Sequence, residues 1–267
     1  MSDDRYEVFA IRYGTVAART RRENFMGLDP HETAPMPIDY YVWVVRNAVR
    51  TIVVDTGFDH AEAEARGREL LRLPREGLAM LGVDADAVED VIVTHLHYDH
   101  AGTLDDFPAA RFHLQETEMA YVTGACMCHE ALQHPYSVEH VCQMVRRVYS
   151  GRVVFHDGDA AVAPGVTVHM LGGHSKGIQC VRVETSRGPV VLASDTAHFY
   201  ETMEAGKPFI ITHDVEKSLR GYARLRALAA SPAHIVPGHD PLVMARYPAV
   251  DGRLAGIVCR LDAPPSS

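Results

Sequence analysis

The sequence predicts an α/β fold in which two β-sheets pack face to face with helices outside, an αββα sandwich. Three observations carry that prediction. Strand patterns dominate residues 7–57, a helical block fills about 116–150, and short strands then return before one more helix and a final strand. Strands with so few helices between them bury one sheet face against a second sheet and the other under helices.

The elements follow in order. EVFAIRYGTV (7–16), DYYVWVVRN (39–47) and TIVVDTG (51–57) read as strands, the last rich in β-branched residues and ending at a turn signal. Helical patterns cover 60–72 and 75–82. DVIVT (90–94) is a strand that runs straight into THLHYDHAG (94–102), where a helix is expected to begin near Ala101-Gly102. RFHLQ (111–115) is another strand. The helical insertion at 116–150 is clearest in PYSVEHVCQMVRRVYS. RVVFH (152–156), VTVHML (166–171), IQCVRVE (178–184) and PVVLASD (189–195) are short strands. A helix over 214–229 has Asp214 as N-cap and Glu216 in its first turn. HIVPGHD (234–240) is a last buried strand with its loop. With no repeat, low-complexity linker or shift in composition, residues 1–267 read as a single domain.

Composition narrows the function. A formal charge of −9 works against nucleic acid or an anionic membrane as partner, since both require a basic footprint. MSDDRYEVFA has early acids and no long apolar run, so it does not read as a signal peptide. YYVWVV is too short to span a bilayer. Five scattered cysteines suggest no disulfide framework and favour a reducing, cytoplasmic location. Histidine is the outlier, with sixteen residues against a single Trp.

Those histidines cluster where chemistry needs nitrogen lone pairs. His95, His97 and Asp99 share parity, so in an extended loop they project to one side, while His100 points elsewhere. The cluster suits two ions rather than one, because a tetrahedral Zn²⁺ seldom takes all its ligands from one short stretch. Further donors stand at the ends of later strands: His174 in LGGHSKG, Asp195 closing PVVLASD, and His239 in VPGHD.

The motif HLHYDH with the later His174, Asp195 and His239 resembles the metallo-β-lactamase superfamily, from the Asp55 of DTG to His239. The resemblance implies two mixed sheets in an αββα sandwich and two Zn²⁺ per chain, with other divalent metals compatible. It implies that His95, His97 and His174 hold one ion, that Asp99, His100 and His239 hold the other, and that Asp195 bridges them. Asp55 matches the family's aspartate that orients metal ligands through hydrogen bonds.

Within the superfamily, His100 disfavours antibiotic hydrolysis and His97 disfavours the flavodiiron branch. The charge disfavours RNA-processing members. Only 28 residues follow His239, short of the glutathione-gripping domain of glyoxalase II enzymes. The chain is most similar to the N-acyl homoserine lactonase-like branch. It departs in having Gly172-Gly173-His174 where Pro-Gly-His is usual, and His198 where a tyrosine three residues after the bridging aspartate is usual.

The resemblance therefore implies opening of a small-molecule lactone or ester by a metal-bridging hydroxide. His198 would donate to the substrate oxygen, and Asp99 would shuttle the proton to the leaving group. Phe25, Met26, Leu28 and Met36 of segment 23–40, with Met119, Tyr121 and Met127, are candidates for an adaptable apolar mouth. Cys126, Cys128 and His129 read as structural. A thioester, amide or phosphodiester hydrolase on the same site is the first alternative, and a non-catalytic metal-binding or sensor protein the second. The chain is expected as a monomer or homodimer.

Overall fold

The computed structural model describes residues 4–266. Its strands are β1 (Glu7–Val16), β2 (Ile38–Arg46), β3 (Thr51–Val54), β4 (Glu69–Leu70), β5 (Asp90–Ile92), β6 (Arg111–Gln115), β7 (Val153–His156), β8 (Ala160–Ala163), β9 (Val166–Met170), β10 (Gln179–Val183), β11 (Val190–Ser194), β12 (Ile235–Pro237) and β13 (Val258–Arg260). The first sheet runs β13-β1-β2-β3-β5-β6-β7, with β4 on β1, and the second runs β12-β11-β10-β9-β8. Both are mixed: β3, β5, β6 and β7 pair in parallel, as do β11 and β12, and the other pairs are antiparallel.

The sandwich can be followed residue by residue in β2. Ile38, Tyr40, Val42 and Val44 join the core that includes Leu78 and Met144 of the outer helices. Tyr41, Trp43 and Val45 join the core shared with Val168, Val181 and Leu192 of the second sheet. Alternate side chains of a strand face opposite sides, so a strand buried on both faces reads as one apolar run. On the outside of the second sheet, Tyr222 and Leu225 of the helix Val215–Leu228 pack into the same core. Asp214 caps that helix as expected, accepting from Lys217 N at 3.0 Å.

Several local expectations are revised. The first helix ends at Arg66, because Gly67 adopts φ 62° and closes it, after which β4 pairs with β1 instead of continuing a helix to 72. No α-helix begins at Ala101-Gly102. Gly102 N instead donates to Gly57 O at 2.7 Å, and a single 3₁₀ turn follows at Leu104–Asp106. The block at 116–150 divides into Glu116–Val122, Glu130–Gln133 and Val138–Tyr149. Strands β8 and β13 and the helices Tyr200–Ala205 and Leu242–Arg246 add to the elements that the sequence pattern predicts. Strand β8 is the sequence AAVA, whose alanines carry little strand preference, and it exists because β9 offers it a partner. Among the described residues no helix is long and apolar enough to cross a membrane.

Candidate active site

Three strand ends and one loop meet at the same edge of the two sheets. Asp55 directly follows β3 and Ser194 ends β11, and both residues hold positive φ, 61° and 47°. Non-glycine residues rarely adopt that region and persist there only when their surroundings hold them. The hold is visible. Asp55 accepts from Thr94 N at 2.7 Å and Thr94 Oγ1 at 2.8 Å, and Thr94 Oγ1 lies 2.8 Å from Ser194 Oγ. Gly238 must be glycine, since a Cβ there would lie 2.7 Å from the Ser194 carbonyl and 2.9 Å from Asp195 Oδ1.

The loop after β5 does not stay extended, so parity does not sort its side chains. His100 N donates to His97 O at 3.0 Å, and the chain turns back. His95, His97, His174 and Asp195 then form one group, and Asp99, His100, Asp195 and His239 another. In each group one donor atom per residue lies within 4.8 Å of the rest, and all seven residues are buried. Asp195 belongs to both.

The donor set fits divalent cations. His239 Nε2 and His100 Nε2 come within 2.9 and 3.1 Å of Asp195 Oδ1. Yet among the described residues Asp195 Oδ1, His95 Nε2 and His100 Nε2 find no hydrogen-bond partner, and they are buried. Buried polar atoms without partners are costly, and their convergence on a common centre is the arrangement a metal ion satisfies. Burial holds His95 and His97 well below the usual imidazole range, in the neutral form that ligates. Burial would do the same to His100, but the carboxylates of Asp195, Asp99 and Asp55 outweigh it and push that ring well up.

His198 also belongs here. Its Nε2 lies 3.0 Å from Asp195 Oδ2, and its ring stacks on Phe209 with centroids 3.6 Å apart. Burial lowers its pKa to about 3, leaving a neutral ring.

Above the donors lies a cleft lined by Arg19, Arg66, Arg68, Tyr98, Phe209 and Ile211 together with His97, Asp99, His174, Asp195, His198 and His239. Phe25, Met26, Met36, Met119 and Tyr121 are not among its lining residues. Phe25 is bridged to Phe209 behind the wall, and Tyr121 packs on Tyr136, which in turn packs on His97. Met26 is exposed, while Met36 and Met119 sit against the helix-side core.

Sequence reading missed Glu118. It is fully buried and accepts from Leu96 N at 3.1 Å, Tyr136 OH at 3.3 Å, Ser175 Oγ at 2.8 Å and Gly177 N at 2.9 Å. One carboxylate thus ties the loop of His95 and His97 to the loop of His174. The available signal was its helical spacing, since Glu118 shares a buried face with Tyr121 and Val122. Buried acids without partners are rare, so an acid on an apolar face asks for some.

Two buried donor groups sharing one carboxylate, at the edge of a mixed αββα sandwich, define a metallohydrolase architecture. The chain belongs to the metallo-beta-lactamase superfamily, which it matches over residues 37–239. An N-acyl homoserine lactonase from Bacillus sp. is 27% identical over 229 residues, covering 80% of this chain and 85% of that protein. The fold also matches an N-acyl homoserine lactone hydrolase solved with the product N-hexanoyl-L-homoserine at its catalytic metal centre. There the TM-score is 0.72 at 23% identity, over 88% of this chain and 93% of the other. A probable metal-dependent hydrolase from Staphylococcus aureus aligns at TM-score 0.76 and 14% identity, over 100% and 97%. Family and relatives make the chain a metal-dependent hydrolase acting on ester bonds.

Proposed function

We propose that the protein opens a lactone ring at a two-zinc centre. The observation that carries this reading is the pair of buried donor groups meeting at Asp195, supported by lactonase relatives across most of the chain. His95, His97 and His174 would hold one ion, Asp99, His100 and His239 the second, and Asp195 both. When bound, such ions supply Lewis acidity at the scissile carbonyl and lower the pKa of water at the site.

The chain's own groups do the rest. His100 Nδ1 and His239 Nδ1 are fixed by Asp55 Oδ2 at 2.7 Å and Asp39 O at 2.8 Å, so each ring presents Nε2 inward. His198, neutral and stacked on Phe209, has one N–H to give. Its Nε2, beside Asp195 Oδ2, offers that proton to a substrate oxygen arriving next to the carboxylate. Asp99 lies on the cleft with Oδ2 3.5 Å from His100 Nε2 and 3.6 Å from His239 Nε2. It is the carboxylate placed to take a proton and return it to the leaving alkoxide.

Zinc-loaded protein assayed against lactones, glutathione thioesters and phosphodiesters tests the reading. Lactones are expected to give the highest kcat/KM with about two zincs per chain. A thioester or phosphodiester turned over faster would overturn the lactone assignment, and active protein holding one zinc or none would overturn the two-ion centre.

A further inference from the structure

We infer that Arg19 and Arg68 form a subsite for a carboxylate on the substrate, so that the cleft selects an anionic lactone or ester over a neutral one. The substrate class rests on the hydrolase reading above, whereas the subsite rests on these two side chains alone.

Both arginines line the cleft over the metal-donor groups, and both are half-buried. Arg19 donates through Nε to Asn24 Oδ1 and through Nη2 to Glu23 O, which leaves Nη1 without a partner among the described residues. Arg68 donates through Nε to Tyr98 OH at 3.0 Å, which leaves both Nη1 and Nη2. Neither makes an ion pair among the described residues. The third cleft arginine is different. Arg66 is taken up by Glu62 at 2.7 Å and by the carbonyls of His134 and Tyr136, so it anchors the segment that carries Arg68.

The free edges are preorganised. The Arg19 guanidinium lies 5.4 Å over Phe209, the ring that stacks on His198. Tyr98, which holds Arg68, is itself held by Tyr40 OH at 3.0 Å and covered by Arg66 at 4.1 Å. Burial disfavours the charge on Arg19, and the positive charge of Arg68 opposes it further. Glu23 offsets part of the charge on Arg19 and Asp99 part of that on Arg68, but among the described residues no carboxylate reaches ion-pair distance of either guanidinium, so the free edges suit an anion from outside. A planar guanidinium edge matches the two oxygens of a carboxylate. An apolar acyl chain seated on them would displace water from both edges without pairing them, which is the more costly outcome.

Titration calorimetry on zinc-loaded protein with glutarate and glutaramate isolates the subsite. Each probe has one carboxylate for the metal donors, and they differ only in the far group. Glutarate is expected to bind about tenfold tighter or more, the scale of a hydrogen bond to a charged group. In the Arg19→Met/Arg68→Met double variant with unchanged zinc content the ratio should fall to near one, and Arg68→Lys should keep part of it. Equal binding of the two probes by the unaltered protein would overturn the subsite. A second arm compares kcat/KM for a γ-lactone bearing a ring carboxylate with the same lactone bearing a carboxamide, where the carboxylate is expected to be favoured about tenfold. A preference for the carboxamide would overturn the selectivity. Hydrolysis of neither lactone, with the glutarate preference intact, would support the subsite and count against the lactonase reading alone.

Discussion

The two donor groups are built by different means. In the group of Asp99, His100 and His239, the outer ring nitrogens are held one by one, by the Asp55 carboxylate and the Asp39 carbonyl. In the group of His95, His97 and His174, only His95 has such a hold, with Thr94 Oγ1 3.2 Å from its Nδ1, and the rings otherwise lean on one another. His97 Nδ1 lies 2.9 Å from His174 Nε2, and His174 Nδ1 has no hydrogen-bond partner among the described residues. Here the backbone is fixed instead, through Glu118, which accepts from Leu96 N and Gly177 N on the two loops. Side-chain anchoring sets the direction of each ring, while a backbone clamp sets the spacing of two loops. The first half should therefore fail ligand by ligand, and the second as a unit.

The largest expected effect removes the comparison altogether. Asp195→Ala takes a donor from both groups, so zinc content should drop at both positions and turnover should fall below detection. Elemental analysis that still finds two zincs would refute the shared role. Next comes His198→Ala, which touches Asp195 without belonging to either group. It should lower kcat by about 10²–10³, the usual loss for one donor to a developing oxyanion, with both zincs retained. Wild-type kcat at full metal content would reduce His198 to a packing residue.

Asp55→Ala falls mainly on one half, since the carboxylate holds the His100 ring directly and reaches the other half only through Thr94, the residue before His95. Metal affinity on the His100 side should weaken by about 10- to 100-fold, as for other partners that orient ligands, while the first ion stays bound. Competition with a chelator should therefore turn from one phase into two. Glu118→Gln sharpens the other half and is the mildest change. A Gln amide can accept at one oxygen only, so either Leu96 N or Gly177 N loses its partner, at about 1–3 kcal/mol of stability. The expected signature is a lower Tm with a modest fall in kcat and KM unchanged, and Glu118→Asp should not restore it because the shorter side chain cannot span both loops. A Tm equal to the wild type would remove the clamp.

The same contrast explains what was legible in the chain. Ring donors next to strand ends can be read, because the apolar runs in β5, β11 and β12 lead within a few residues to polar donors. Thr94, Ser194 and Asp55 surround one another only after β3, β5 and β11 are aligned, so only Asp55 was found, through the family resemblance. Arg19 and Arg68 were invisible for a related reason. Each lies in a segment rich in charge, ARTRRE and ARGRE, where a solvent-facing arginine is the ordinary outcome and only the fold singles one out. Short elements such as β13 and the helix Leu242–Arg246 have too few residues to show a period.

His239 joins the two sheets through its own backbone N–H and carbonyl. Its N–H donates to His198 O at 3.0 Å, and its carbonyl accepts from Asp39 N of the first sheet at 3.0 Å. The donors begin at residue 95 and end at 239, so no ion can find its full set until almost the whole chain has collapsed and the sheets have docked. Metal capture is then a late event in folding, with the loop-closure entropy of long-range contacts already spent. The ion's binding free energy adds to the docked state alone, so chelation is expected to loosen the seam between the sheets before it melts either one.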